Sequence, residues 1–530
     1  MKLSKIALAS LLAVGTASSF AQVACDSTNA LTFTNTCAPE MTVYIAGASA
    51  LSDAVKAVVP TYFDTTKPFT TILDGGSTNG FKANDFNLIG TAKTKTGPNS
   101  VIGWYGTSLA TEAFGNAQKR LFVVYNNFNG SAAGVSQVLA KALVDAKGAV
   151  AGTATNTALT TIPEAKVVTV GPTGASTPNT CVAYDGTALT LTSTTVRIDG
   201  ATADLTKPTS TSANQIICSS NAVTKADLAI SDVDVTDLVE IYSSVAKAPV
   251  TAITRKPIGM QGFAIAVNNN FYNALQTAQK TAGKLSTACS TGEYTEACQP
   301  NVSRAQYASL ASKSGNLKSS GAFIPGDATF LTLARRDQMS GTQASSEMFF
   351  MGSKCANPAA LSAMRPSDAD GYVSMGVTEN AQTANVEDQL TAATGYSIGV
   401  ISLSKGASTT YKFVKMDGSS PNFTRNGTSP LSSADDMRKN MIDGTWPFQV
   451  TSYMMALTKD LSVKTNTKAP ILNQMLTDFT SGTGTHNLKA VSYFDGPANK
   501  KSLVTRQYMK GTGAKAVNTL SNCAPLVAGQ

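Results

Sequence analysis

The chain has 530 residues, of which 42% are hydrophobic and 14% are charged. This composition excludes a disordered chain and is sufficient for two or more hydrophobic cores. The formal net charge of +8 comes from lysines and arginines scattered along the chain, so no nucleic-acid partner is expected.

The N-terminus has the pattern of a secretory signal peptide. Lys2 and Lys5 precede an apolar run over residues 6–14, and small residues lead to Ala21. We therefore expect residues 1–21 to be removed near Ala21 and the protein to be periplasmic, secreted or displayed at the cell surface. Cys25 lacks a large apolar residue three positions earlier, so a lipid anchor is the less favoured interpretation.

Two segments predict a strand, a tight turn and a helix in succession. The first has a strand over 41–45, a turn over 46–49 and a helix over about 52–62. The second has a strand over 121–125, a turn over 129–134 and a helix with Ser131 at its start. Such units indicate an α/β fold with parallel strands, whose ligands lie beyond the carboxyl ends of those strands.

Two stretches differ from these units in composition. Residues of about 66–117 and 148–224 are rich in Thr, Ser, Gly, Ala and Asn, and the second alternates like surface strands over 188–192 and 194–200. We interpret both stretches as insertions, with β-structure, on a core fold.

The eight cysteines all follow residue 21 and include no C-x-x-C pair. An even number in an oxidising compartment indicates disulfides rather than a zinc site. Many pairings are open from the sequence alone. We predict the pairs Cys25–Cys37, Cys181–Cys218, Cys289–Cys298 and Cys355–Cys523.

His486 is the single histidine and lies in a glycine-rich loop. A Ser-His-Asp triad elsewhere and a multi-histidine metal site are therefore excluded. We expect neither an enzyme nor a metal or other cofactor.

A fixed positive charge precedes a predicted helix start near the middle of the chain. Arg336 is followed by Ser340, Gly341 and Thr342, and then by a helical run over 343–350. The first backbone N–H groups and the dipole of such a helix favour an anion, and a guanidinium adds a planar fork of donors. An ordinary helix cap is the alternative interpretation of the same string.

Asp232 follows a short apolar run over 228–230. A carboxylate beside an anion repels it unless the ligand carries a proton, so in an anion site this residue would select a protonated oxyanion. The alternatives are a turn residue for Asp232 and simple helix capping for Ser131.

Seven strings, in their order along the chain, resemble the phosphate-binding periplasmic substrate-binding proteins of ABC transporters. They are residues 45–50, 130–137, 227–232, 257–268, 336–342, 396–400 and 446–453. The resemblance implies a two-lobed type II periplasmic-binding-protein-like fold with a ligand cleft between the lobes. It also implies two crossings between the lobes, near 257–263 and 440–450.

The resemblance further implies which part of the chain forms each lobe. Lobe I would comprise residues 22–262, with the two insertions, and lobe II residues 263–445. Residues 446–530 would return to lobe I and form a C-terminal tail.

The site that the resemblance implies departs from the family in one place. The family usually has a threonine where Leu51 stands; either Ser49 or Ser52 supplies the missing hydroxyl, or backbone N–H groups alone remain. The other ligand-binding residues implied are Ser131, Asp232, Arg336, Ser340, Gly341 and Thr342. In such a site Asp232 would select monohydrogen phosphate over sulfate, which carries no proton at neutral pH.

Together with these observations, the resemblance implies a monomer that captures inorganic phosphate, or a closely related oxyanion, and delivers it to an ABC permease in the inner membrane. A secreted surface or adhesion protein that keeps the clamp, and uses its Thr/Ser-rich insertions for contact with macromolecules, is the second hypothesis. The third hypothesis, a secreted phosphate-ester hydrolase, is disfavoured because the sequence shows no metal cluster or activated nucleophile.

Overall fold

The structure is a computed structural model. It describes residues 40–64, 66, 69–73, 101–110, 112–114, 116–127, 130–147, 162–170, 176–177, 195–197, 214–224, 226–235, 237–238, 250–316, 318–352, 361–380, 383–391, 394–405, 408–430, 440–441, 444–464, 466–479, 504–505, 507–510, 517–520 and 527–528.

The described residues form both strands and helices. The described strands are β1 (Met41–Gly47), β2 (Phe69–Leu73), β3 (Val101–Thr107), β4 (Arg120–Asn126), β5 (Ile162–Val170), β6 (Ser176–Thr177), β7 (Thr195–Arg197), β8 (Asn214–Thr224), β9 (Leu228–Ser231), β10 (Ile253–Asn268), β11 (Asn301–Val302), β12 (Leu331–Arg336), β13 (Met375–Asn380), β14 (Tyr396–Ser402), β15 (Tyr411–Phe413), β16 (Lys415–Met416), β17 (Gln449–Leu457), β18 (Val504–Thr505), β19 (Gln507–Lys510), β20 (Val517–Leu520) and β21 (Val527–Ala528). The helices are α1 (Ser52–Val58), α2 (Gly130–Lys147), α3 (Asn269–Thr281), α4 (Arg304–Ala311), α5 (Gly341–Met351), α6 (Thr383–Thr391) and α7 (Ala469–Asp478).

The main sheet runs through two lobes in the order β13-β12-β14-β10-β17-β9-β1-β4-β3-β2, with β15 also paired to β10. In the first lobe β1 pairs in parallel with β4 and β9. In the second lobe β12 pairs in parallel with β13 and β14. The carboxyl ends of each parallel trio therefore share one edge, which is where loops can gather around a ligand.

Strand β10 passes from one lobe to the other. Its first part pairs with β17 and its later part, from Phe263 onwards, pairs with β14. The indole of Trp446 is fully buried at this crossing, and its Nε1–H donates a hydrogen bond to the Phe263 carbonyl at 2.8 Å. Trp446 therefore packs within the protein and is no exposed platform for a ligand.

Each lobe has its own hydrophobic core. In the first lobe β1 supplies Val43 and Ile45 to a cluster that α1 and α7 cover with Val55 and Leu472. A larger cluster fills the second lobe around β10, β12 and β14. Burial of such side chains contributes about 1.5–3 kcal/mol each.

Helix α1 is shorter than the predicted helix over 52–62. It ends at Val58, and residues Val59–Tyr62 form a 3-10 turn with Pro60 near its start. Pro60 has no N–H to donate to the preceding turn, which explains the early end of the α-helix. The second predicted strand and helix correspond to β4 and α2.

The two Thr/Ser-rich stretches have different places in the structure. Within 66–117, β2 and β3 extend the edge of the main sheet by antiparallel pairing onto β4. Within 148–224, β5, β6, β7 and β8 form a separate four-stranded sheet. The strand expected over 188–192 lies outside the described residues.

The disulfide between Cys289 and Cys298 is present, as predicted. Each of the other three predicted pairs includes at least one cysteine outside the described residues. His486 also lies outside the described residues. Cys289, Glu293 and Cys298 are also the only group of three possible metal ligands in the described part of the chain. Because the disulfide engages both sulfurs, this group is not a metal site.

Among the helices that the structure describes, none is both long and apolar enough to cross a membrane. The predicted signal peptide over 1–21 lies outside the described residues.

Candidate functional site

The predicted site residues follow strand ends and helix starts that meet between the lobes. Gly47 at the end of β1 has φ of +138°, and an added Cβ there would lie 1.8 Å from the Ile230 carbonyl oxygen. The next residue, Ala48, donates its N–H to the same oxygen at 2.8 Å. Glycine at position 47 therefore allows the ends of β1 and β9 to approach closely.

Ser131 and Asp232 form a buried pair. The Ser131 hydroxyl lies 3.3 Å from Asp232 Oδ2 as donor and accepts the Asp232 backbone N–H at 3.1 Å. Ser131 is the second residue of α2, and its hydroxyl bonds to Asp232 rather than to a backbone N–H of its own helix. The structure therefore brings these two predicted site residues together.

Asp232 has an unusual electrostatic environment. Its carboxyl is almost completely buried, and Oδ1 has no hydrogen-bond partner. Burial raises its pKa from 3.8 to about 7, although the charge of Arg336 and the Ser131 hydrogen bond act to lower it. Near neutral pH this carboxyl can therefore either donate or accept a proton in a hydrogen bond.

Arg336 is buried with 2% of its surface exposed. Its Nε–H donates to the Asn380 carbonyl at 3.1 Å, and Nη1 donates to the Ser49 hydroxyl at 3.2 Å. Nη2 lies 3.7 Å from the position that a Cβ on Gly130 would occupy. The guanidinium thus reaches from the end of β12 to the start of α2.

The start of α5 lies directly against the start of α2. Met339 accepts the Ala132 N–H at 2.9 Å, and Ser340 caps α5 by accepting the Gln343 N–H at 3.4 Å. An added Cβ on Gly341 would lie 2.2 Å from Ser131 Oγ and 2.6 Å from Asp232 Oδ2. Gly341 therefore leaves room for two polar side chains of the other lobe.

Thr342 completes this part of the site. Its side chain is 2% exposed, and its hydroxyl has no hydrogen-bond partner. Ser345, three residues later and so on the same face of α5, also has a buried hydroxyl without a partner. Buried polar atoms of this kind normally require a partner, such as a ligand or an ordered water.

The two serines proposed to replace the family threonine have different environments. Leu51 lies in the apolar core of the first lobe. The Ser52 hydroxyl is buried and accepts a hydrogen bond from Asn127 Nδ2 at 2.9 Å. Ser49 contacts Arg336, so the structure brings Ser49, and not Ser52, to the guanidinium.

An apolar interface lies beside this polar cluster. Ala132 and Val135 of α2 are buried in one cluster with Met339, Ala344 and Met348 of the second lobe. These contacts keep water away from one side of the site, which strengthens electrostatic interactions within it.

Three contributors could not be predicted from the sequence. The Asn380 carbonyl that holds Arg336, and the Met339 carbonyl that joins the helix starts, are backbone groups without a residue-type signal. Asp337, beside Arg336, accepts the Met339 N–H at 3.1 Å, and burial raises its pKa to about 7. For Asp337, its position directly after Arg336 is the one sequence feature that could have indicated a place near the site.

The arrangement suits an oxyanion. It supplies a buried guanidinium, two helix starts and hydroxyl groups, all of which donate hydrogen bonds to oxygen. Asp232 is the one carboxylate of the predicted set, and a single carboxylate beside an arginine is a poor cation site.

No protein-family model matches this chain, and no curated protein matches it. Among solved structures, it is similar to an ABC-type phosphate transport receptor from Vibrio cholerae, with 14% identity, a TM-score of 0.27, and coverage of 47% of this chain and 72% of the other. A phosphate-binding protein from Stenotrophomonas maltophilia has 13% identity and a TM-score of 0.26, over 49% of this chain and 71% of the other. An ancestral soluble variant of the human phosphate-binding protein has 13% identity and a TM-score of 0.29, over 52% of this chain and 78% of the other.

The chain's own strand order and its two hydrophobic cores show the predicted mixed α/β fold with two lobes, and the candidate site lies between the lobes. At TM-scores below 0.3, the ligand has to be inferred from the site itself.

Proposed function

We propose that this protein binds inorganic phosphate, or a closely related oxyanion, between its two lobes. The observation that carries the proposal is the Asp232 carboxyl, whose buried Oδ1 has no partner, beside the buried guanidinium of Arg336 and two helix starts. A ligand here must accept several hydrogen bonds and also satisfy a carboxyl oxygen. Monohydrogen phosphate does both, because it has three acceptor oxygens and one hydroxyl.

Sulfate fits this donor set less well. At neutral pH it has no proton to offer, so an ionised Asp232 would face a second negative acceptor in a site closed to water. The same residues would thus favour phosphate over sulfate.

The proposal is tested by calorimetric titration with phosphate, followed by Arg336→Ala. Hydrogen bonds to charged groups contribute about 1.5–3 kcal/mol, so the variant should bind at least tenfold more weakly. Arg425→Ala is the matched control, because Arg425 is an arginine with an exposed side chain and is not among the predicted site residues. Equal affinity of Arg336→Ala and the parent protein would refute the site, and absence of phosphate binding by the parent would refute the function.

We further propose that the protein acts as the solute-binding component of an ABC-type uptake system, as a monomer without a catalytic role. The pattern over residues 1–21 supports export, and phosphate capture outside the cytoplasm requires a permease partner. The division into lobe I over 22–262 and 446–530, and lobe II over 263–445, belongs to this proposal. Loss of phosphate uptake on deletion of the gene, restored by the full chain, is the expected result.

The separate sheet formed by β5, β6, β7 and β8 favours a second candidate function, in which the stretch over 148–224 contacts other macromolecules at a cell surface. Deleting residues 148–224 separates the two candidates. Retained phosphate binding with lost adhesion to cells or matrix would support the second function, and unchanged adhesion would refute it.

A further inference from the structure

Arg336 is held from both lobes. Its Nε–H donates to the Asn380 carbonyl at 3.1 Å, within the second lobe, and Nη1 donates to the Ser49 hydroxyl at 3.2 Å, in the first lobe. Arg336 and Ser49 are 287 positions apart in the sequence. This hydrogen bond can therefore form only when the two lobes are close together.

These two contacts restrict how the guanidinium faces the site. The group is planar and rigid, so holding Nε and Nη1 leaves little freedom for Nη2. Nη2 lies 3.7 Å from the position of a Cβ on Gly130, at the start of α2. It is thus directed at the place where both helix starts offer backbone N–H groups to an anion.

We propose that Ser49 is a positioning residue, which orients Arg336 for the anion and makes that orientation depend on closure of the lobes. The inference rests on the proposed phosphate function and deepens it. Leu51 lies in the apolar core and Ser52 bonds to Asn127, so of these three neighbours Ser49 is the one that acts on the guanidinium. Its hydroxyl acts through Arg336 and is not a ligand contact of its own.

The first experiment is a double-mutant cycle on phosphate affinity, using the full mature chain. Ser49→Ala should weaken binding about tenfold, which is within the range for a hydrogen bond to a charged group. Ser49→Thr keeps the hydroxyl and should restore most of the affinity. In an Arg336→Ala background, Ser49→Ala should have no additional effect, because the group on which it acts is gone.

The control is Ser136→Ala, which removes another buried hydroxyl. Ser136 donates to the Ala133 carbonyl within α2 at 2.8 Å and should leave affinity unchanged. Equal losses from Ser49→Ala with and without Arg336 would show a direct contact with the anion and overturn the inference. So would unchanged affinity in Ser49→Ala.

The second experiment is independent of affinity. Hydrogen exchange of the Arg336 guanidinium protons, followed by NMR in phosphate-free protein, should be faster in Ser49→Ala than in the parent or in Ser136→Ala. Unchanged exchange would overturn the positioning role even where the Arg336→Ala variant binds too weakly to measure. Failure of the parent protein itself to bind phosphate would instead refute the proposed function.

Discussion

Replacing Asp232 with asparagine should change how the stability of the ligand-free protein depends on pH. The folded-state pKa of this carboxyl is about 7, above its ordinary value of 3.8. Between these values Asp232 binds more protons in the folded protein than in the unfolded chain, so its contribution to stability is greatest at acidic pH and is lost as the pH rises through 7. Asparagine cannot ionise, and the variant should lack this fall.

The magnitude follows from the difference between the two pKa values. Each unit corresponds to about 1.36 kcal/mol, so ionisation of Asp232 in the folded state costs up to about 4 kcal/mol by pH 8. Asp232 is only 1% exposed, so solvent screening should reduce this cost little. Asp337, whose pKa is also raised to about 7, is present in both proteins, and its contribution largely cancels in the comparison.

The assay is urea unfolding from pH 4.5 to 8.5 in phosphate-free buffers. The informative quantity is the difference in free energy of unfolding between Asp232→Asn and the parent. Any effect of the substitution on the Ser131 hydrogen bond is the same at every pH and so does not affect how the difference changes with pH. This difference should move in favour of the variant by several kcal/mol as the pH rises from 4.5 to 8. Asp370→Asn, at an exposed position, is the control. A difference that stays constant over this range would show that Asp232 is not the buried, costly carboxyl described here.

Selectivity should depend on pH through the same residue: below about pH 7, protonated Asp232 can donate to sulfate, so the preference for phosphate measured by competition binding should narrow. A preference that is constant from pH 5 to 8 would contradict this. Gly341→Ala should abolish phosphate binding, because its Cβ would overlap Ser131 and Asp232. Gly371→Ala is the control and should bind like the parent, because nothing lies within 4 Å of a Cβ added there. Equal calorimetric affinities of the Gly341→Ala and Gly371→Ala variants would contradict the geometry. Trp446→Phe removes the hydrogen bond to the Phe263 carbonyl and should lower the free energy of unfolding, measured by urea unfolding, by about 1–3 kcal/mol. An unchanged free energy of unfolding would show that the indole N–H bonds to water and not to this carbonyl. Thiol titration of the denatured, unreduced mature protein should find no free thiol, and a stoichiometric thiol would refute the four-disulfide scheme.

Local features of the chain were predictable from the sequence. The strand, turn and helix units around Met41 and Leu121 follow from short-range periodicity, and Ser340 caps α5 because capping depends on residues three positions apart. The pair Cys289–Cys298 closes a short loop, with a sequence separation of 9, and could therefore also be predicted from the sequence. The early end of α1 at Val58 could also have been predicted from Pro60, since the missing N–H is a local property.

The geometry of the site depended on tertiary packing. Ser131 meets Asp232 across 101 positions, and Ser49 meets Arg336 across 287. Sequence reasoning could name these residues by type and by resemblance, but it left three alternatives open: Ser49, Ser52, or backbone N–H groups alone. Only the approach of the two lobes assigns Ser49 to the guanidinium and Ser52 to Asn127. The raised pKa of Asp232 likewise comes from burial between distant segments, because desolvation is a property of the folded surroundings and not of the local sequence.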